Sequence, residues 1–171
     1  MVSRVIKDRQ GVLSQNQLFP GQEVCVDHFI CSNKGRLFTS RGGSRDTDKY
    51  KGGAIFVDQA TGYVHVEHQT TMTTHSTLRA KESYEAMCRD VGVIPQKYLS
   101  DNGTAFTSAS YRNHLIDFAQ VQRFAGTGAH HHNSRAERAI QTIMSISRAM
   151  LNIRRINASL LCSQNASTSF S

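Results

Sequence analysis

The sequence has no stretch approaching the roughly 20 consecutive apolar residues of a membrane-spanning helix, and its opening MVSRVIKDRQ lacks the apolar run of a secretory leader. The expectation is a chain of the nucleus or cytoplasm, not secreted and without a membrane partner. Cysteine pairing signals are also missing. Cys25, Cys31, Cys88 and Cys162 show no C-x-x-C spacing, and no His-x-x-x-His completes a zinc set, so they read as free thiols, mostly buried. No internal repeat is visible. Acidic residues are few, 13 Asp and Glu against 20 Lys and Arg, which leaves a formal charge of +7 and a pI near 9.5. That balance suits a polyanionic partner such as nucleic acid, although solubility alone accounts for it equally well.

What is present is ordinary for one folded domain: 171 residues, 39% hydrophobic and 19% charged. Residues 1–21 read as a linker ending in the turn Phe19-Pro20-Gly21, the core as residues 22–153, and residues 154–171, rich in Ser, Asn and Thr, as a disordered or aberrant tail. Within the core, a first strand is expected at 23–30, followed by a basic, glycine-loosened loop at 31–52. Strands at 54–57 and 63–69 flank the turn Asp58 to Gly62. A helix at 76–91 is closed by Gly92, a strand at 96–100 runs into Asp101-Asn102-Gly103, and a short helix near 108–118 precedes a strand at 121–124. A helix from Arg135 to about Ile153 follows, with Ala136, Ile140, Ile143, Met144, Ser147, Met150 and Leu151 forming one stripe. This order predicts an α/β fold: a mixed five-stranded sheet flanked by helices, of the ribonuclease H-like kind.

Three acids stand on separate elements: Asp27 in the first strand, Asp101 at the end of the fourth, and Glu137 in the first turn of the last helix. Taken singly, each has a structural reading. Asp27 suits a solvent-facing strand acid, Asp101-Asn102-Gly103 a common turn, and Ser134-Arg135-Ala136-Glu137 a capping box. Taken together, neighbouring strands and a helix across the sheet edge would cluster them, which is costly without cations. Oxygen-rich sites suit Mg²⁺, and a pair of such ions about 3.5 to 4 Å apart can activate a hydroxyl and stabilise a leaving phosphodiester oxygen.

The segments carrying these acids resemble the integrase catalytic core of retroviral and retrotransposon polyproteins. Asp101 and Glu137 are separated by 137 − 101 − 1 = 35 residues, the spacing for which that family is named. Leu99-Ser100-Asp101-Asn102-Gly103-Thr104-Ala105-Phe106 looks like its second-acid motif, His132-Asn133-Ser134-Arg135-Ala136-Glu137-Arg138 like its third, and Val26-Asp27 like its first. The resemblance covers about residues 22 to 153. It implies DNA integration: metal-dependent 3′-end processing and strand transfer, with Asp27, Asp101 and Glu137 as catalytic groups and ligands of Mg²⁺ or Mn²⁺. It also implies DNA, both element ends and target, as the partner, and a homo-oligomer in the full-length form. The family's zinc-binding domain before the core, its basic region after it and the helices that extend the core are not recognisable here. The alternative is therefore a truncated, catalytically silent nucleic-acid-binding remnant; a lone nuclease acting on RNA or hybrids is a third reading.

With Glu137 at zero on a helical wheel, Arg148 falls near 20, Gln141 near 40 and Arg138 near 100 degrees, at about 100 degrees per residue. With Asn102 and His132 these are the candidate DNA-contacting residues, although a solvated helix face would look the same. The run His130-His131-His132 reads as a loop near the site, since consecutive residues do not easily converge on one ion.

Overall fold

The computed structural model describes residues 18–37, 49–125 and 134–166, with backbone alone for Arg36 and residues 153–166. Expectations for residues 1–17, 38–48, 126–133 and 167–171, His132 among them, lie outside the described residues.

Five strands form one sheet in the order β3-β2-β1-β4-β5. They are β1 (Val24–Arg36), β2 (Lys49–Asp58), β3 (Val64–Gln69), β4 (Lys97–Ser100) and β5 (Val121–Phe124). The first three form an antiparallel meander, whereas β4 pairs parallel to β1, and β5 parallel to β4. Alternation along the strands separates two cores. Val24, Val26, Ala54, Phe56 and Tyr98 face α1 (Thr74–Asp90) and the pair α2 (Thr104–Thr107) and α3 (Ala109–Asp117), meeting Tyr84, Phe106 and Tyr111. Cys25, Ile55, Val57 and Leu99 face α4 (Ser134–Ala166) and meet Ala136. This is the expected ribonuclease H-like arrangement.

The expected helix near 108–118 is α3, and the short turn α2 before it was not foreseen. Ser108 separates the two, accepting from the Tyr111 amide at 3.2 Å while donating to the Ala105 carbonyl at 2.9 Å. Thr73 caps α1, and Gly92 closes it in the left-handed conformation at φ 73°. The inward face of α1 carries charged residues: Lys81 and Glu85 are buried, whereas Met87 is exposed.

Two expectations are corrected. The segment 31–52 is not wholly a loop, because β1 continues to Arg36 and β2 already starts at Lys49, pairing through Gly35↔Tyr50 and Arg36↔Lys49 after an irregularity beyond Ile30. Ser32, Asn33 and Gly35 are poor strand formers, so cross-strand pairing rather than local preference extends the strand. The last helix does not stop near Ile153 but runs to Ala166. Its sequence holds neither Gly nor Pro from Ser134 onward, so no residue breaks it, whatever its periodicity. Among its residues with described side chains, only the first part packs on the sheet. Ala139, Ile140 and Ile143 support the second core, whereas Ser147, Met150 and Leu151 of the expected stripe are exposed.

Residues 18–21 are stitched to the fold. Gly21 (φ 81°) donates to Asp58 Oδ1 at 3.0 Å, and its carbonyl accepts from the Gln96 amide at 2.8 Å. Among the described residues no helix is long and apolar enough to cross a membrane. Cys25 and Cys88 are buried and Cys31 partly so, all as free thiols.

Candidate active site

The parallel register between β1 and β4 pairs Val24 with Tyr98 and Cys25 with Leu99. Continued two residues further, that register brings Asp27, inside β1, level with Asp101, the residue just past the carboxyl end of β4. Alternation then puts Asp27 on the face of Cys25 and Asp101 on the face of Leu99, and both faces belong to the core beneath α4. Glu137 adjoins Ala136, the fully buried residue that seats the first turn of α4 on that core. Three elements thus deliver three carboxylates to one edge of the sheet.

Burial, with the charges of Asp101 and Glu137 adding to it, raises the Asp27 carboxyl to about 6, against the hydrogen bond from its neighbour's amide. That bond, His28 N–H to Asp27 Oδ1, measures 2.8 Å. The His28 ring lies on the opposite face, stacked on Phe106 at 4.6 Å with Nε2 3.0 Å from Thr77 Oγ1. Through this one residue, β1, α1 and α2 are joined directly behind Asp27. Sequence reasoning passed over His28; its position beside an acid in a strand was the available signal.

Asp101 is exposed and turns back on its own loop, where Oδ1 accepts from the Gly103 amide at 3.1 Å. Gly103 suits this turn, since a Cβ there would come within 3.0 Å of that same oxygen. Glu137 is exposed on α4. Arg135, also missed, donates to the Gln59 carbonyl in the β2–β3 turn and so ties the start of α4 to the sheet. Gln59 in turn donates to Glu23 Oε1 at 2.7 Å.

Among the described residues no three His, Cys, Asp or Glu side chains stand in metal-holding geometry. The three acids share an edge and a field without closing into a cage, as expected of mutually repelling carboxylates. Their donor chemistry fits a hard divalent cation, because every ligand atom on offer is a carboxylate oxygen. A cation would also relieve the like-charge strain at Asp27. Of the expected DNA-contacting residues, Asn102, Arg138, Gln141 and Arg148 are all exposed, the last three along α4.

Compared by sequence, the chain matches no protein-family model and no curated protein. Compared by structure, it resembles the integrase catalytic core domain of HTLV-2 in complex with magnesium. For the dimeric form the TM-score is 0.59 at 18% identity, covering 79% of this chain and 76% of that one. For the trimeric form the score is 0.55 at 18% identity, covering 79% and 75%. A simian T-cell lymphotropic virus intasome in complex with PP2A regulatory subunit B56 gamma gives 0.62 at 15% identity, covering 79% of this chain and 42% of that one. The chain has the fold of retroviral integrase catalytic cores, a ribonuclease H-like α/β fold.

Proposed function

We propose that this chain is the catalytic core of a DNA-integrating polynucleotidyl transferase of retrotransposon type, dependent on Mg²⁺ or Mn²⁺. The observation that carries the reading is the convergence of Asp27, Asp101 and Glu137 on one sheet edge, where Asp27 responds to the charge of both others. Asp27 and its two partners would hold the metal. Bound there, it would supply Lewis acidity toward a phosphodiester oxygen. In 3′-end processing the attacking oxygen comes from water; in strand transfer it comes from the new 3′ hydroxyl. Either way one P–O bond forms as the opposite one breaks, and no covalent enzyme intermediate is needed.

The protein's own part is positioning and electrostatics. The His28 amide fixes the Asp27 carboxylate, the Asp101 turn fixes the second acid, and the Arg135 tether fixes the helix bearing the third. Arg138, Gln141 and Arg148, with Asn102 and His132, would hold DNA phosphates and set its register without reading its sequence. A homo-oligomer of the full-length protein would bring two such sites to two DNA ends.

A second reading is a nucleic-acid-binding protein without catalysis, favoured by the exposed apolar side chains Ile146, Met150 and Leu151 on the far part of α4, which leave that surface unfinished. A nicking and strand-transfer assay on short DNA duplexes with Mg²⁺ or Mn²⁺ decides between them. Metal-dependent products that disappear in Glu137→Gln support the enzyme. A folded wild type that binds DNA and yields no product supports the silent binder.

A further inference from the structure

Beyond the catalytic edge, β1 and β2 outrun the rest of the sheet. Strand β4 ends at Ser100, and β3 pairs no further along β2 than Gly52, whereas β1 and β2 go on pairing to Arg36 and Lys49. Among the described residues, the part from Ile30 to Arg36 and from Lys49 to Gly52 is a two-stranded ribbon, broken by a register shift between Ile30 and Gly35. Its root is held tightly. A Cβ at Gly52 would lie 2.0 Å from the Phe29 carbonyl oxygen, and one at Gly53 2.2 Å from that of Glu67. Phe29 and Tyr50 both contact the His68 ring, at 6.1 and 5.4 Å.

The ribbon is basic throughout, with Lys34, Arg36, Lys49 and Lys51 and no acid in residues 30–37 or 49–52. Lys34 and Lys51 are exposed and Lys49 is partly so. Asp27 pairs across the ladder with Ile55, and Lys51 follows Ile55 and Gly53 on the same side of β2. Four residues of strand separate Lys51 from Ile55, about 13 Å at about 3.3 Å per residue. Along a duplex that is the rise of about four base pairs at about 3.4 Å each.

We propose that this ribbon grips duplex DNA beside the carboxylate edge, with Lys34, Lys49 and Lys51 on successive phosphates. A two-stranded ribbon has the width that the major groove admits, and a strip bearing Lys34, Arg36, Lys49 and Lys51 complements phosphate charge. The inference deepens the DNA reading above and rests on it for the choice of polyanion.

The test is binding of the full chain to a short fluorescent DNA duplex, with a chelator in place of divalent metal, across a salt series. The comparison is wild type against Lys34→Ser/Lys49→Ser/Lys51→Ser. A charge-matched control, Arg79→Gln/Arg89→Gln/Arg112→Gln, alters exposed residues on α1 and α3. Loss of three phosphate contacts makes the slope of log affinity against log salt shallower by about 2 to 3, with the control unchanged. In a parallel measurement that needs no variant, DNA shields the three ribbon lysines of the wild type from acetylation. The inference is overturned by equal slopes in wild type and ribbon variant, by equal loss in the control, by unshielded lysines, by preference for single-stranded RNA, or by no duplex binding at all. Because binding is read without metal, a ribbon that binds in a chain that never nicks sinks only the catalytic reading. Nicking with a ribbon that makes no contact sinks only this one.

Discussion

Asp27 carries the sharpest consequence at the scale of single residues. Burial and two neighbouring acids raise its carboxyl from the usual carboxylate range to about 6. The folded state therefore holds the proton more tightly than the unfolded chain. Between about pH 4, the unfolded value, and pH 6 the folded state binds more protons, so stability falls as pH rises through that window and stays lowered above it. The unfolding midpoint is expected to drop from pH 4.5 to pH 6.5 by more in wild type than in Asp27→Asn, which removes the titration; thermal melts of both across roughly this range check the sign. Equal pH dependence would show that neither burial nor the neighbouring acids raise the Asp27 carboxyl. At neutral pH the same strain predicts that Mg²⁺ raises the wild-type midpoint and leaves that of Asp27→Asn unchanged.

At the scale of elements, the crowding where β1, β2 and β3 meet leaves no room at Gly53, where a Cβ would approach the Glu67 carbonyl oxygen at 2.2 Å and the Phe29 ring at 2.8 Å. Backbone cannot yield as a flexible side chain can, so Gly53→Ala is expected to cost at least about 1–3 kcal/mol in chemical denaturation. A cost below about 0.5 kcal/mol would mean that the strands can part there. Helix α4 offers a contrast within one element. Ile143 packs against the core beneath the helix, whereas Met150 is 65% exposed. Truncation of Ile143 to Ala is expected to cost about 2 kcal/mol or more, and Met150→Ala no more than about 0.5 kcal/mol. Equal costs would show that the far part of α4 packs on something in solution.

Across the whole molecule, a buried polar network ties the helical layer to the sheet. Glu85 Oε1 accepts from Lys81 Nζ at 2.7 Å and from the Tyr98 hydroxyl at 2.7 Å, and it accepts also from Gln120 just ahead of β5. Lys81 lies 5.1 Å from the centre of the Tyr98 ring and 5.5 Å from that of Phe118. The bonds to Lys81, Tyr98 and Gln120 hold the Glu85 carboxyl below its ordinary value in spite of burial. Removing one partner leaves a buried charge uncompensated, so Lys81→Ala is expected to cost about 3–5 kcal/mol in denaturant unfolding. Replacing Lys81 by Met and Glu85 by Gln together should cost clearly less than that single change. The opposite order would mean that water reaches the pair.

The sequence by itself determined the order of the strands and of every helix but α2, the two turns around Gly62 and Gly103, the closure of α1 at Gly92 and the three separate acids. Each of these rests on local rules: alternation, helical spacing, and residues that tolerate particular backbone angles. Tertiary structure alone decided the rest. Lys81 and Glu85 look like a solvated i, i+4 pair on a helix, and only the sheet packed above them makes them core. Ser32, Asn33 and Gly35 argue for a loop, and only pairing with β2 draws Gly35 and its neighbours into a ribbon. The apolar stripe of α4 runs on past Ile143, but the sheet beneath it does not, so identical spacing is buried in one half and exposed in the other. Whether Asp27, Asp101 and Glu137 share an edge depended on parallel register between strands more than 60 residues apart in the chain and on Arg135 reaching the β2–β3 turn. Such contacts between distant segments have no signature in local sequence, because their energy exists only once the partner surface is in place.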